Sequence, residues 1–404
     1  MKQMNINNLS DSWELKKLGD ICKTGAGGTP LKARKEYYLG GIIPWLKSGE
    51  VKQGEIYKSI NFITSKGLVN SSAKLFPPDT VLVAMYGATA GQVGILRFEA
   101  STNQAICGIY PNRQTVPEFI YYFFLHKKDE ITAQATGNAQ PNISQIKIKN
   151  TKIPIPRPKE QKRIVAKLDE CFETIHIARA NVEKNLQNAK DLFQSQLNQI
   201  FSQKDDGWVE KKLGDICERV SVGHVGKTSE YYCGEDGIPF LRSQNVRKGF
   251  LDFENIRYIT KEFHKSLKKS QLCKNDLLFV RVGANRGDCC AIKEDHHQLN
   301  CANIVFARPT SGNVKFLEYY CLSPIGRNRL LGMTTGSAQG VINTKSVEKL
   351  KISMPLDNEQ NSIVSALTDL KEKTLNIESN YQQELSALDE LKKSILQKAF
   401  NGEL

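Results

Sequence analysis

Two stretches of this chain carry the same long hydrophobic stripe. Residues 159–203 contain no Pro and no Gly, so nothing there breaks a helix. Apolar or small residues recur at Ile164, Leu168, Cys171, Ile175, Ala178, Val182, Ala189 and Leu192, in alternating steps of four and three, with Asn185 interrupting the stripe. That spacing predicts a helix that packs along its length on another helix. At ~1.5 Å per residue it makes a rod of roughly 60 Å, which needs a partner of similar length. Residues 358–404 supply one. Ile363, Leu367, Leu370, Thr374, Ile377, Tyr381, Leu388, Leu391 and Ile395 follow the same alternation, interrupted by Glu384. At an offset of 199 the stretches align without a gap, with Glu160-Gln161 on Glu359-Gln360, Ile164-Val165 on Ile363-Val364, Ser195 on Ser394 and Phe201 on Phe400. A mutual coiled coil is the expectation.

The segments that precede these stripes also repeat. WELKKLGDIC from Trp13 returns as WVEKKLGDIC from Trp208, with eight of ten residues identical. Ile43-Pro44-Trp45-Leu46-Lys47-Ser48 answers Ile238-Pro239-Phe240-Leu241-Arg242-Ser243, Gly87 and Gly91 answer Gly283 and Gly287, and T-G-N-A-Q at 136–140 answers T-G-S-A-Q at 335–339. The offset drifts from 195 to 199, as small loop insertions would cause. The chain is a tandem duplication of a unit of about 200 residues, too large for a solenoid repeat. Each unit is a globular region followed by a long helix. Inside the regions, β-rich runs at 80–85 and 277–282 predict strands. Gly-rich turns at 24–30 and 86–94 separate the strands, and 119–126 and 316–323 predict short buried helices. The expected fold is α+β, two tandem α/β domains with twisted, mainly antiparallel sheets. The boundaries are residues 1–158, a helix over 159–203, residues 204–356 and a helix over 357–404.

Charge then points to a partner. A formal net charge of +13 on 404 residues suits a polyanion, most simply nucleic acid. No apolar run is long enough to span a bilayer, and the N-terminal residues have no apolar core of a signal peptide. The ten cysteines are scattered without C-x-x-C spacing, which fits reduced structural thiols in a cytoplasmic protein. Catalytic signals fail one by one. SVGHVGKT at 221–228 lacks the first Gly of a phosphate loop. Cys289, Cys290, His296, His297 and Cys301 lack the paired spacing of a zinc site. Pro77-Pro78 does not complete a methyltransferase Asn-Pro-Pro-aromatic motif, and Glu160 and Lys162 lie at a helix start rather than in a nuclease cluster.

What remains suits recognition. Gly-rich loops allow close approach of backbone to a phosphate or base. In the first copy the candidate DNA readers are Thr29, Trp45, Lys47, Ser48, Tyr86, Thr89 and Gln92. In the second they are His224, Lys227, Arg242, Ser243, Gln244, Asn245, Arg281, Asn285 and Arg286. Arg can fork onto guanine, and Asn or Gln onto adenine, in the major groove. The copies agree in framework segments and differ in these loops, as two different targets would require. Trp45 and Phe240, aromatic at matched positions, fit a core role better than a stacking one.

With the repeated W-x-x-x-K-L-G-D-I starts, I-P-W-L-K-S-G-E-V from Ile43, N-Q-A-I-C-G-I from Asn103, the T-G-x-A-Q pair, P-x-x-x-E-Q-x-x-I-V from Pro156 and Pro355, and A-F-N-G-E-L from Ala399, the chain resembles the specificity subunit of type I restriction–modification enzymes. The resemblance implies two target-recognition domains held apart by two antiparallel helices. Each domain would read one half of an asymmetric, split site on double-stranded DNA. The helices would act as a ruler and dock two methylation subunits. S-adenosylmethionine, ATP and Mg would be used by those and by restriction–translocation subunits, with no cofactor on this chain and no catalysis of its own. A fused enzyme would need a further domain, for which the two copies leave no room. A scaffold or decoy subunit that competes for partners is the other alternative.

Overall fold

The computed structural model describes residues 13–133, 143–203, 207–333 and 340–404. Both T-G-x-A-Q segments lie outside the described residues. By its packing the chain divides into two units, residues 1–182 with 383–404, and residues 183–382.

In the first unit, strand Glu14–Lys17 pairs antiparallel with Lys152–Ile155. A five-stranded sheet runs in the order Thr24–Ala26, Ile106–Ile109, Thr80–Ala84, Val93–Leu96, Glu55–Ile56. Its last pair is parallel and the others antiparallel. Thr80–Ala84 is buried at every position, which explains an uninterrupted apolar run where a half-exposed strand would alternate. Val81 and Val83 face a core with Phe119, Phe123, Ile148, Ile164 and Leu168. Leu82 and Ala84 face the opposite side, with Leu46, Ile56, Phe76 and Leu96. A second sheet, ordered Phe62–Ile63, Ile43–Leu46, Ala100–Thr102, Leu75–Phe76, covers that side and contains one parallel pair. The helix expected over 119–126 runs Pro117–Ala133. The apolar octet forms its first turns, and Ile131 is buried further along its charged continuation.

The second unit repeats the plan. Val209–Lys212 pairs with Lys351–Met354. One sheet is ordered Cys217–Val222, Ile304–Pro309, Leu277–Val280, Cys289–Ala291, and a second Tyr232–Cys233, Arg257–Ile259, Ile238–Leu241, Asn300–Cys301. Leu277 and Phe279 face a core with Phe316, Tyr320, Leu197 and Phe201, while Leu278 and Val280 face Leu241, Cys301 and Phe306.

The two predicted rods are helices Pro158–Ser202 and Asp357–Phe400, of 45 and 44 residues, and they pack together. Their shared E-Q has a physical reason. The Gln161 amide is fully buried, accepts from Val116 N at 2.8 Å and donates to Pro156 O at 2.8 Å. Gln360 likewise accepts from Asn313 N and donates to Pro355 O, both at 2.9 Å. Each glutamine ties the start of its rod to the residue just before a buried helix, Pro117–Ala133 in the first unit and Val314–Leu322 in the second.

The stripe drifts from the predicted phase. Ile164, Leu168, Val182 and Leu367 are buried, and Ile175, Ile363, Leu370, Tyr381, Leu388 and Ile395 half-buried. Leu192, Ile377 and Leu391 are 46%, 40% and 47% exposed. One residue on from Leu192 and Ile377, Phe193 and Glu378 are half-buried, and Leu385 and Leu396 are buried one residue beyond Glu384 and Ile395. A straight helix has 3.6 residues per turn, so a strict 3.5-residue reading slips by ~20° every heptad. After several heptads that is enough to move the stripe by one position.

Candidate nucleic-acid interface

In the first unit the candidate readers meet on one rim of loops, stitched by backbone hydrogen bonds. Trp45 Nε1 donates to Gly28 O at 3.0 Å. Asn103 N donates to Leu46 O at 2.9 Å, Met85 N to Ala105 O at 2.7 Å, and Ile143 N to Met85 O at 2.8 Å. The Ser48–Gln53 turn lies beside the Gly87–Thr89 turn. This brings Thr29, Lys47, Ser48, Tyr86, Thr89 and Gln92 onto neighbouring loops. Lys47 and Tyr86 are exposed, while Thr29, Ser48, Thr89 and Gln92 are half-buried. The Thr89 hydroxyl donates to Tyr86 O at 3.3 Å. Trp45 is only 4% exposed and is a core residue, its ring 5.9 Å from the Lys47 ammonium.

The second unit has the same stitching. His224 N donates to Cys301 O at 2.8 Å, Ala302 N to Leu241 O at 2.9 Å, and Ile342 N to Arg281 O at 3.2 Å. Lys227 and Gln244 are exposed. Several candidates are already engaged. Arg242 donates to Asn255 O at 2.9 Å, Arg281 to Ile342 O at 3.3 Å, and Arg286 to Gly340 O. The Ser243 hydroxyl donates to Asn303 O at 3.1 Å, and the His224 ring meets Phe263 edge-on at 5.4 Å. Asn285 is half-buried on the turn of the central hairpin, where its carbonyl accepts from Asp288 N at 2.9 Å. Arg281 and Arg286 thus brace the segment that leaves the second T-G-x-A-Q stretch.

Two expectations need correction. Asn245 is fully buried: its Oδ1 accepts from Arg242 N at 3.0 Å and its Nδ2 donates to Asp252 O at 2.9 Å. It is the counterpart of Glu50, which is 7% exposed and accepts from Lys47 N at 2.8 Å and Ile60 N at 3.1 Å. Both close a turn, and Asn245 has no edge left for a base. Nor do the first Gly-rich loop's glycines open space for a ligand. A Cβ on Gly27 would lie 2.1 Å from Thr102 Oγ1, and one on Gly28 2.3 Å from Ala73 N. The close approach is to the protein itself. Gly87 and Gly283 differ: both have positive φ, 71° and 92°, with nothing within 4 Å of the added Cβ.

Sequence reasoning missed Gln104 and Asn303, exposed on the loop that links the two sheets in each unit. Thr29 Oγ1 donates to Gln104 Oε1. Strand pairing leaves three residues between Thr102 and Ile106 and two between Cys301 and Ile304. The shorter link forces a tighter turn, and Asn303 makes it at φ 55°, a conformation that Asn tolerates better than most residues. The Asn103-Gln104 motif carried that signal, but only as a marker of family.

The decoys resolve as structure. All ten cysteines are free, and burial pushes the Cys107, Cys217 and Cys290 thiols up to about 12, so they are poor nucleophiles at neutral pH. Gly223 packs on Cys301 and a 3₁₀ turn, Ser229–Tyr231, follows Lys227 and Thr228 where a phosphate loop would start a helix. Among the described residues, no three or more His, Cys, Asp or Glu side chains are grouped to hold a metal, and no helix is long and apolar enough to cross a membrane.

Comparison with known proteins agrees with this architecture. The family model "Type I restriction modification DNA specificity domain" matches twice, at residues 10–188 and 205–387. The type I restriction enzyme MjaIX specificity subunit of Methanocaldococcus jannaschii is 25% identical over 100% of this chain and 96% of its own. The EcoKI specificity subunit of Escherichia coli is 28% identical over 99% and 91%. Among solved structures, one described as the structural basis of complex assembly and conformational transition of the type I R-M system shares the fold with a TM-score of 0.79 at 20% identity, covering 98% of this chain and 99% of that one. The HsdS subunit from Thermoanaerobacter tengcongensis gives a TM-score of 0.61 at 20% identity, over 98% of each chain.

Proposed function

We propose that this chain, which belongs to the type I restriction modification DNA specificity family, reads a split DNA site with two rims of loops, one half-site per unit. The observation that carries the reading is the rim itself. The same backbone stitching is built twice, through Leu46 and Asn103 in one unit and Leu241 and Ala302 in the other, and bears different side chains each time. A common framework with divergent loops is what two half-sites of different sequence require. Lys47, Tyr86, Lys227 and Gln244 are the exposed candidates, placed to meet DNA directly. Arg242, Arg281 and Arg286 would have to exchange a backbone carbonyl for a base or phosphate.

In this reading residues 1–158 and 204–356 are the recognition domains. The helices over 159–203 and 357–404 set the spacer and dock two methylation subunits. Those partners would carry S-adenosylmethionine-dependent adenine methylation, and restriction–translocation subunits would carry ATP and Mg, all in the cytoplasm. This chain would take no catalytic step. The adenine to be methylated must leave the stack, an event that falls to the methylation subunit.

Methylome sequencing of a host expressing the chain with its methylation partner tests this directly. A split adenine-methylated motif that disappears without this chain is expected. Exchange of residues 24–150 with a relative should change one half of it only. No motif, with the partner active and bound, would favour a scaffold or decoy subunit.

A further inference from the structure

The two units carry clusters of opposite charge at the same place in their fold. In the first, Arg97 lies 2.5 Å from Glu55, 2.6 Å from Glu118 and 2.7 Å from Asp79, one cation among three carboxylates. In the second, Ala291 pairs with Leu277 as Ile95 pairs with Val81, which sets Lys293 at the position of Arg97. Phe316 meets Trp208 edge-on as Phe119 meets Trp13, which sets Lys315 at the position of Glu118. An ion pair in one copy is therefore a pair of like charges in the other.

A third amino group joins them. Lys293 Nζ donates to Gly249 O at 3.2 Å, and a Cβ on Gly249 would lie 3.1 Å from Lys371 Nζ, so both ammoniums reach the same turn. The carboxylate present is Glu318, fully buried, which holds Lys315 and accepts from Ala291 N at 2.9 Å. Three ammoniums against one carboxylate leave two excess positive charges in a partly dry site. Burial, with the neighbouring lysines, lowers the pKa of Lys293 and Lys371, so an added anion would relieve both. A requirement of the fold would have given the first unit the same sign, and that unit has the opposite one.

We propose that Lys293, Lys315 and Lys371 grip one phosphate of the DNA backbone, a contact made by the second unit and absent from the first. The proposal rests on the reading of the chain as a DNA-specificity subunit. Ammonium groups are point-charge phosphate ligands, and exposed Lys248 on the same turn extends the positive field. The contact would position the duplex without reading its sequence.

The test is duplex affinity across a range of salt concentrations, measured on the full chain with its methylation partner. Three forms are compared: wild type, Lys293→Met with Lys371→Met, and the same two positions changed to Arg. Loss of one phosphate contact makes the slope of log K against log salt shallower by about 0.9. The Met form should show that change with the methylated motif still the same sequence, and the Arg form should restore the wild-type slope. The single variant Lys371→Gln, with a partial change expected, serves if the double variant melts at lower temperature. An unchanged slope in the folded Met form or in Lys371→Gln overturns the proposal. So does loss of partner assembly with the slope intact, which would assign the cluster to an acidic protein surface. Failure of the family reading would look different: wild type itself would direct no split motif.

Discussion

Phe400 stands near the end of the second rod, yet it completes the core of the unit that holds the first 182 residues. It is fully buried and packs on Phe119 at 5.2 Å, Phe123 at 5.4 Å and His126 at 5.6 Å between ring centroids. Phe400→Ala removes the whole ring from a fully buried site in a packed core. Such truncations cost about 3–5 kcal/mol, and the three aromatic contacts place this one near 4. At 1.4 kcal/mol per decade, amide protection in the first unit should fall roughly 10³-fold. Hydrogen exchange read by mass spectrometry on peptides covering Thr80–Ala84 and Leu277–Val280 separates the units. The first peptide should lose protection and the second keep it. Phe201→Ala should do the reverse, because Phe201 packs on Phe316 and Tyr320 at 5.4 Å each in the second unit. Equal losses in both peptides, or a loss under tenfold in the first, would refute this assignment of the two rings.

The other expectations are smaller in scope. Burial, reinforced by Lys127, lowers the His126 pKa from 6.5 to about 4. This neutral imidazole contributes stability that is whole above pH 6.5 and lost as pH falls toward 4. Acid titration of exchange in the first unit should show a loss of order 1–3 kcal/mol, abolished in His126→Gln. Asn245→Ala should lower stability by about 2 kcal/mol through two buried, unpaired backbone groups while the methylated motif keeps its sequence; a changed base preference would mean that Asn245 reads DNA after all. Gly27→Ala, which drives a Cβ into Thr102 and Asn103, should destabilise the first unit measurably in thermal melts. Lys227→Glu should weaken duplex binding without changing the motif, read by anisotropy at two salt concentrations.

The duplication and the rods were legible because framework residues repeat at nearly fixed offsets and because helix periodicity survives in an exposed rod. The central strands were legible as apolar runs, since burial on both faces removes alternation. Side-chain duty was not. Asn245 and Glu50 sit at matched positions in a segment of similar text, and only the hydrogen bonds reveal both as turn closures. The glycines of 24–30 look the same whether they admit a ligand or their own sheet. Leu192 and Ile377 fail for a reason of geometry, as a small error per turn accumulates along helices of 45 and 44 residues. Gln104 and Asn303 are distinguished by loop length and strand pairing, which no local pattern reports.

The division of the chain has a kinetic consequence. The second unit is continuous, residues 183–382, whereas the first needs residues 383–404 to close the core begun by residues 18–168. At ~5–20 residues per second on a ribosome, the 201 positions from 182 to 383 take about 10–40 s to emerge. The unit that starts first therefore finishes last, with Ile164, Leu168 and Phe119 uncovered on one side until Leu396 and Phe400 arrive. Nascent chains should depend on holding factors during that interval, and a pause in translation after residue 182 should lengthen the exposure of the first unit while leaving the second unaffected.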